Sequence, residues 1–243
     1  DDITREVTAK VLDLPLELHE ESLQRIQEYF ASTGKEYTEN QLKNFDYTVN
    51  ALKEKGIEFD IIHHANSAGT EDYVKAHKSM VRAGIILYGL APSPKLRDVL
   101  PIKPIMTLKT SVASVKKIYK GTTVSYGRTF EAEDDMTIAT VTIGYADGYF
   151  RDFSNKGYML LKGKKCRIFG RVCMDQTIID VSEVEDVKIG DEVIIFSANE
   201  SPTVDDLASF ADTINYEVIC AVSKRVPRYY HKNSVTVDVM YKL

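Results

Sequence analysis

The chain has 243 residues, with 31 lysines and arginines against 36 aspartates and glutamates, a formal charge of −5, and 44% hydrophobic residues. This acidic balance argues against a general affinity for nucleic acid or anionic membranes, and no apolar run approaches the roughly 20 residues that cross a bilayer. Three cysteines without a C-x-x-C spacing are too few for a disulfide framework, so we expect a reducing cytoplasm.

The first hundred residues alternate between helical and strand patterns. Thr38 followed by Gln41 is typical of a capping box, and it precedes an apolar face at helical spacing that Gly56 ends. The ranges 59–62 and 84–88 are short apolar runs that predict buried strands. Helices and strands in alternation predict parallel α/β units.

A proline-rich stretch follows this first part. Four prolines fall within thirteen residues: Pro92, Pro94, Pro101 and Pro104. Such a stretch is stiff and poor in strands, which is typical of a boundary between domains. We therefore predict one domain at residues 1–95 and a second at residues 103–243.

The second domain is predicted to be mostly β-structure. Runs rich in strand formers, separated by Gly, Asn or Asp, occupy residues 112–118, 137–143, 158–161, 167–169, 177–181, 191–196 and 234–241. Two helices interrupt them, one at Val204–Phe210 with Thr203 and Asp206 as its capping pair, and one at residues 216–224. The pattern indicates a largely antiparallel β-domain.

A polar segment directly follows the first predicted strand, at residues 63–69. Ligands bind at the carboxyl ends of strands in α/β folds, and a serine hydroxyl beside free N–H groups suits a phosphate. Ser67 supplies such a hydroxyl, while Arg82 and Gly84 begin the next predicted strand. The alternative is that Asn66 and Ser67 only cap a loop.

Six short segments carry the functional information. In chain order they are HHANSAG (63–69), RAGIILYGL (82–90), VSYGRT (124–129), IGYADGY (143–149), GRVCMDQ (170–176) and TINYE (213–217). Together they resemble the signature segments of bacterial alanine racemase, a pyridoxal-phosphate enzyme, over about residues 37–243. Residues 1–36 match that family poorly.

The resemblance implies an architecture of α/β plus β. The family has an N-terminal (β/α)8 barrel that binds the cofactor, a mostly antiparallel C-terminal β-domain, and a head-to-tail homodimer with shared active sites. Residues 1–95 would then be the later part of the (β/α)8 barrel, and residues 103–243 the β-domain. Because the family's Schiff-base lysine lies on the first barrel strand, upstream of this chain, we expect a fragment of a longer protein that is inactive alone.

The resemblance also implies a cofactor site. It assigns the phosphate to the Ser67 hydroxyl, the N–H groups around Gly84 and Ile85 and the Tyr216 hydroxyl, and the pyridine nitrogen to Arg82, with His63 behind it. Arginine does not readily give up a proton, so it would keep that nitrogen unprotonated and favour reprotonation over transamination.

The substrate end of the implied site contains three residues. Tyr126 corresponds to the catalytic tyrosine, and Tyr145 and Met174 shape the pocket. Racemisation requires acid/base groups on opposite faces of the substrate, and a tyrosine, with an ordinary pKa of about 10, needs nearby positive charge to act as a base. The alternative is that Tyr145, Tyr149 and Met174 are core or interface residues.

The resulting hypothesis is a fragment of an alanine racemase that interconverts L-alanine and D-alanine for cell-wall peptidoglycan. Alternatives are a non-catalytic, dimerising β-domain or interaction module, and a broader-range or serine-type racemase of the same fold. The bulk of Tyr216 favours alanine over longer side chains. The histidines show no metal-ligand spacing, and neither a membrane nor a nucleic acid is an expected partner.

Overall fold

The computed structural model describes residues 34–93, 96–97, 101–198 and 200–241. The chain forms two compact units. The first unit contains the described residues up to Leu87 and within Pro92–Leu100, and the second contains Tyr88–Ala91 and everything from Pro101 onward. Across the described residues, no helix combines the length and hydrophobicity that spanning a bilayer requires.

Helix α1, Gly34–Glu54, opens the described part of the first unit. Leu42 and Leu52 on its apolar face are buried, as the helical spacing predicts. Gly56 ends the helix at φ 78°, with its N–H bonded to Lys53 O (2.9 Å) in the pattern of a Schellman motif. Thr38 lies inside the helix, so the capping box predicted there is wrong.

The two strands predicted in this unit do not form. Phe59 and Ile61 are exposed, and the only pairing nearby in the described residues is a single parallel bridge between His63 and Met80. Ile85–Tyr88 is a 3-10 turn rather than a strand. A buried parallel strand needs neighbours on both sides, which an apolar run cannot specify by itself.

Short helical elements lie between the two predicted strand positions. Helix α2 spans Ser67–Asp72, and a 3-10 turn follows at Val74–Ala76. Ala65 and Ala76 pack with Leu42 of α1 in a small buried cluster, with Tyr73 against it. This cluster holds the polar segment that begins at His63 against α1.

The second unit is built on antiparallel strands. They are β1 (Leu108–Ile118), β2 (Thr123–Val124), β3 (Phe130–Glu131), β4 (Met136–Val141), β5 (Tyr158–Leu161), β6 (Lys164–Phe169), β7 (Thr177–Asp180), β8 (Glu192–Phe196), β9 (Arg228–Lys232) and β10 (Val235–Met240). Six of them close into a barrel in the order β1-β4-β7-β6-β5-β8, in which every neighbouring pair is antiparallel. The predicted antiparallel β-domain is therefore confirmed.

Inward-facing apolar side chains fill this barrel. Met159, Leu161, Ile179 and Ile195 are fully buried on strands β5, β7 and β8, and the neighbouring Leu160 and Phe196 are buried as well. The strands were recognisable in the sequence because their runs are rich in strand formers and are separated by turn residues.

Two ribbons lie outside the barrel order, β2 with β3 and β9 with β10. Val124 of β2 joins a buried cluster with Ile118, Ile138 and Phe169, and the Phe130 ring of β3 stacks on Phe169 at 3.9 Å. This packing fixes the base of the loop between β2 and β3, which carries Tyr126.

Two helices complete the second unit. Helix α3, Val204–Phe210, begins at the predicted capping pair, since Thr203 Oγ1 accepts from Asp206 N–H (3.1 Å) and Asp206 Oδ2 accepts from Thr203 N–H (2.8 Å). Helix α4, Asn215–Ala221, ends three residues earlier than its predicted end at residue 224.

Candidate functional site

Ser67 lies at the start of α2 and contacts the segment that carries Gly84. Asn66 caps the helix through Oδ1, which accepts from Gly69 N–H (3.0 Å), so the capping alternative holds for Asn66. Ser67 is buried, and its Oγ accepts from Gly84 N–H (2.9 Å). A hydroxyl that accepts this bond keeps its own proton for a further acceptor.

Arg82 is tied to the same loop. Its backbone N–H donates to Ala65 O (2.9 Å), and its Nη2 donates to His64 O (3.1 Å). Arg82 is otherwise exposed, whereas Ile85 is buried. His63 is also exposed, and within the described contacts no hydrogen bond joins it to Arg82, so its predicted role behind the arginine stays a prediction.

His64, which the sequence did not single out, has a perturbed pKa. Burial lowers the pKa of the imidazole, and the charges of Lys78 and Arg82 lower it further, against the opposing effect of Asp46. Its ring packs edge-on against Phe45, with the centroids 4.9 Å apart. His64 is thus a packed residue of the loop that Arg82 holds.

Tyr126 stands at the surface of the second unit on a constrained loop. Its side chain is 71% exposed. The flanking residues take left-handed backbone conformations, with φ 65° at Ser125 and 51° at Arg128. Such conformations are costly for residues other than glycine and persist only when the surroundings impose them.

The surroundings that impose this conformation come from the Gly170–Cys173 loop. Ser125 Oγ donates to Arg171 O (2.7 Å) and accepts from Arg171 N–H (3.0 Å). A Cβ at Gly170 would lie 2.5 Å from Ser125 Cβ, and one at Gly127 would lie 3.2 Å from Arg171 Cζ. The tyrosine loop is therefore pinned at its base, with the Arg171 guanidinium beside it, while the Tyr126 ring stays exposed.

The loop that pins Tyr126 also carries Met174 and meets the Tyr145 turn. Tyr145 N–H donates to Cys173 O (3.0 Å), and Ala146 N–H donates to Met174 O (3.0 Å). Tyr145 is 45% exposed and Met174 53% exposed, so a core role is wrong for both. The structure thus brings the Tyr126, Tyr145 and Met174 loops together.

Tyr149 and Cys173, in contrast, are packing residues. Tyr149 is 3% exposed, and burial raises the pKa of its phenol. Cys173 is buried with its Sγ 3.8 Å from Ser125 Oγ. Across the residues that the structure describes, no group of three His, Cys, Asp or Glu side chains is placed to hold a metal ion.

Arg225 joins two of these loops, and sequence reasoning missed it. Its Nε donates to Asp147 Oδ1 (2.8 Å) and its Nη2 donates to Asp175 Oδ1 (2.6 Å), bonds that raise the pKa of the guanidinium. Asp147 ends the Tyr145 turn, and Asp175 follows Met174. No local pattern could pair Arg225 with carboxylates 78 and 50 positions away.

Tyr216 lies in the first turn of α4 and is half-buried. Burial raises the pKa of its phenol, so the hydroxyl stays protonated and able to donate. The preceding Asn215 anchors the helix, with Nδ2 donating to Ala91 O (3.0 Å) and to Asp205 Oδ1 (3.0 Å).

Two protein-family models match the chain. The model of the alanine racemase C-terminal domain matches residues 105–230, and that of the alanine racemase N-terminal domain matches residues 3–92. The expectation that residues 1–36 match poorly is therefore wrong. Short motifs could not detect a similarity that is spread over a whole domain.

Individual relatives agree with the family models. The chain is 46% identical to alanine racemase 1 of Clostridium acetobutylicum over 85% of its length, and 48% identical to the alanine racemase of Desulforamulus reducens over 81%. It spans 54% and 53% of these two proteins, about half the length of the curated relatives it matches.

Solved structures show the same correspondence. The alanine racemase of Clostridium difficile 630 superposes with a TM-score of 0.79 at 40% identity, covering 85% of this chain and 54% of that one. The Bacillus anthracis alanine racemase with bound L-Ala-P gives 0.79 at 37% identity, with coverage of 85% and 54%. These structures support a fold with an N-terminal barrel domain and a C-terminal β-domain.

Proposed function

Because the chain belongs to the alanine racemase family, we propose that it forms part of a pyridoxal-phosphate-dependent racemase that interconverts L-alanine and D-alanine. The product would supply cell-wall peptidoglycan, and the site of action would be the cytoplasm. One observation carries the proposal: Tyr126 is held outward and 71% exposed on a loop whose base is pinned. Among the residues that the structure describes, none makes a hydrogen bond or ring contact with this phenol.

The residues around Ser67 fit an anionic cofactor group. The Ser67 hydroxyl has a proton to donate, Gly84 and Ile85 bring backbone to the same place, and Arg82 adds positive charge on the same loop. A hydroxyl with adjoining backbone N–H groups is a usual donor set for phosphate, and the Arg82 guanidinium on the same loop is left for another part of the cofactor. Pyridoxal phosphate, when bound, supplies the electron withdrawal that makes the substrate Cα–H acidic.

Each of the other residues then has a definite task. The Arg82 guanidinium would donate to the ring nitrogen, with His63 near it, and the protonated Tyr216 hydroxyl would donate to the phosphate. Tyr126 would move a proton to or from one face of the substrate Cα. Tyr145 and Met174 would limit the space beside the substrate methyl group.

The exposure of Tyr126 further supports an active site shared between subunits. A proton donor in open solvent cannot discriminate between faces of a substrate, so a second surface must cover it. We propose that this surface is the cofactor-binding barrel of another subunit in a homodimer. The same arrangement explains why three site loops of the second unit are exposed together.

Complementation in trans tests this proposal. The partner would be the Clostridium acetobutylicum relative with its residue aligned to Tyr126 replaced by phenylalanine. When that variant and this chain are mixed and allowed to exchange subunits, alanine racemisation should return. The reason is that the mixed site receives Tyr126 from this chain. This chain with Tyr126→Phe is the matched control and should restore nothing.

Assembly is measured separately, by affinity capture of one tagged chain and detection of the other. If mixed assemblies form and no activity returns with wild-type Tyr126, the catalytic role is refuted. A non-catalytic interaction module would then be the better reading.

A second experiment tests the cofactor. The chain alone should bind pyridoxal phosphate weakly, since the family's lysine motif is absent from its sequence, and borohydride reduction should fix no single lysine stoichiometrically. Ser67→Ala should weaken the binding, whereas Thr48→Ala should not, since the Thr48 hydroxyl bonds Asn44 O within helix α1 (2.9 Å). Stoichiometric labelling of one lysine would show that the lysine's place was misjudged.

A further inference from the structure

Three loops of the second unit meet at the guanidinium of Arg225. Its Nε and Nη2 lie on one edge of the plane and bind different carboxylates, Asp147 (2.8 Å) and Asp175 (2.6 Å). A guanidinium edge more often binds both oxygens of a single carboxylate. Here one rigid fork sets the distance between two separate loops.

Asp147 connects Arg225 to the Tyr145 turn. Its other oxygen, Oδ2, accepts from Gly144 N–H (2.9 Å), and its backbone O accepts from Ser223 N–H (2.9 Å). A Cβ on the adjoining Gly148 would lie 2.0 Å from Ala221 O, so the turn is in close contact with the segment that leads to Arg225. Hydrogen bonds and close backbone contact therefore join the Tyr145 turn to the segment that carries Arg225.

Asp175 connects Arg225 to the loop that carries Met174. It follows Met174 directly, and its side chain is exposed, with Arg225 as its ion partner. The two loops are also joined by backbone bonds from Tyr145 and Ala146 to the 173–174 carbonyls. The ion pair between Arg225 and Asp175 adds a third connection beside these two backbone hydrogen bonds.

We propose that Arg225 is a positioning residue that sets the separation of Tyr145 and Met174, and with it the size limit at the substrate end of the site. The inference rests on the proposed function, in which these two side chains face the substrate. Arg225 touches neither substrate nor cofactor in this role. Lysine could replace it only in part, because a single ammonium on a flexible stem does not hold two carboxylates at a fixed distance.

Hydrogen exchange on the chain alone tests the positioning without any racemase activity. Exposed ion pairs contribute little to global stability, so their loss should be felt locally. In Arg225→Gln, the amides of Tyr145 and Ala146 should exchange about tenfold faster or more, because these amides open when the loops separate. Amides of the barrel core, such as Ile179 and Ala139, should be unchanged.

Three further variants sharpen the readout. Asp175→Asn removes one arm and leaves the cap of the Tyr145 turn intact, so it should reproduce most of the effect. Arg225→Lys should give an intermediate rate. Glu192→Gln removes a comparable exposed ion pair with Lys109 (2.8 Å) on the barrel and should leave Tyr145 and Ala146 unaffected.

Substrate selection is then measured in the mixed assembly with the tyrosine-deficient relative. Arg225→Gln should raise KM for alanine by about three- to tenfold with a smaller change in kcat, and improve turnover of serine relative to alanine, as expected when a boundary of the pocket loosens.

The outcomes separate the two proposals. Unchanged exchange at Tyr145 and Ala146 in Arg225→Gln, or an increase shared equally by the barrel core, would overturn the positioning role. A wild-type mixture that assembles without activity would refute the proposed function alone. Faster local exchange with unaltered KM and serine-to-alanine ratio would refute the size limit at the substrate end.

Discussion

At the scale of single residues, glycines decide how closely the site loops approach one another. Gly144 has ordinary extended backbone angles. Glycine is therefore required at this position because there is no space for a side chain, not because of its φ angle. An added Cβ would lie 2.2 Å from Cys173 O and 2.4 Å from Met174 O, both backbone atoms that cannot swing away. The contact between the Tyr145 turn and the Met174 loop therefore depends on the absence of a side chain at Gly144.

Gly144→Ala is expected to lower the free energy of unfolding by about 1–3 kcal/mol, as overpacking does, and to displace the Met174 loop. Gly121→Ala is the control, because nothing lies within 4 Å of a Cβ there and only the φ of 82° opposes it. Chemical denaturation measures both variants. An unchanged free energy of unfolding in Gly144→Ala would show that the 173–174 carbonyls can move away and that the close approach does not govern position 144.

His64 gives a prediction about pH. Burial holds its pKa below the ordinary 6.5, so below about pH 6.5 the unfolded chain takes up a proton more readily than the folded chain. Stability of the first unit should therefore fall as pH drops from 6.5 through the lowered pKa, and His64→Gln should reduce this dependence.

NMR titration of the imidazole checks the sign of the His64 shift. Asp46→Asn should lower the pKa of His64 further, and Lys78→Gln should raise it, since Asp46 opposes and Lys78 reinforces the shift. A pKa above that of an unfolded histidyl peptide would contradict the assignment.

At the scale of elements, the capping box of α3 provides a test of local structure. Thr203 and Asp206 satisfy each other's backbone N–H groups, and α3 is only seven residues long. Short helices depend on their caps and their packing more than on propensity. Thr203→Ala should cost about 1 kcal/mol of unfolding free energy, with Thr203→Ser as the control that keeps the acceptor. Equal loss in both variants, measured by thermal unfolding, would indicate that the threonine methyl matters instead.

At the scale of the whole molecule, the closed barrel predicts that the second unit folds alone. A barrel has no open edge to protect, and its core is formed within the unit. The sequence set the start of this domain at residue 103, but Tyr88–Ala91 cluster with it. Ala91 O accepts from the buried Asn215, and Tyr88 O accepts from Ile105 N–H (3.1 Å).

A fragment of residues 88–243 should consequently be more stable than one of residues 103–243, by about 1–3 kcal/mol for the buried amide that loses its partner. Urea unfolding of the two fragments, followed by circular dichroism, measures the difference. Limited proteolysis of the full chain should cut near the Pro92–Pro104 stretch before it cuts the barrel. Equal stability of the fragments would mean that residues 88–91 make no net contribution.

The sequence by itself determined the local features and the family. Runs of strand formers separated by turn residues revealed the barrel strands, Thr203 and Asp206 gave the start of α3, Gly56 gave the end of α1, and six motifs indicated the alanine racemase family. All of these depend on residues close together in the chain, where spacing and backbone preference act directly. Most of the candidate site residues were named in the same way, through motifs.

Only the tertiary structure decided which groups meet. It closed six strands into a barrel, replaced two predicted strands of the first unit by exposed chain and a 3-10 turn, and joined Ser67 to Gly84. It also placed Arg225 between Asp147 and Asp175. A short apolar run has the same sequence pattern whether or not strands lie on both sides of it in the fold. An ion pair between residues far apart in the chain produces no periodic pattern in the sequence. The physical reason is that such contacts arise from chain packing, which local spacing does not encode.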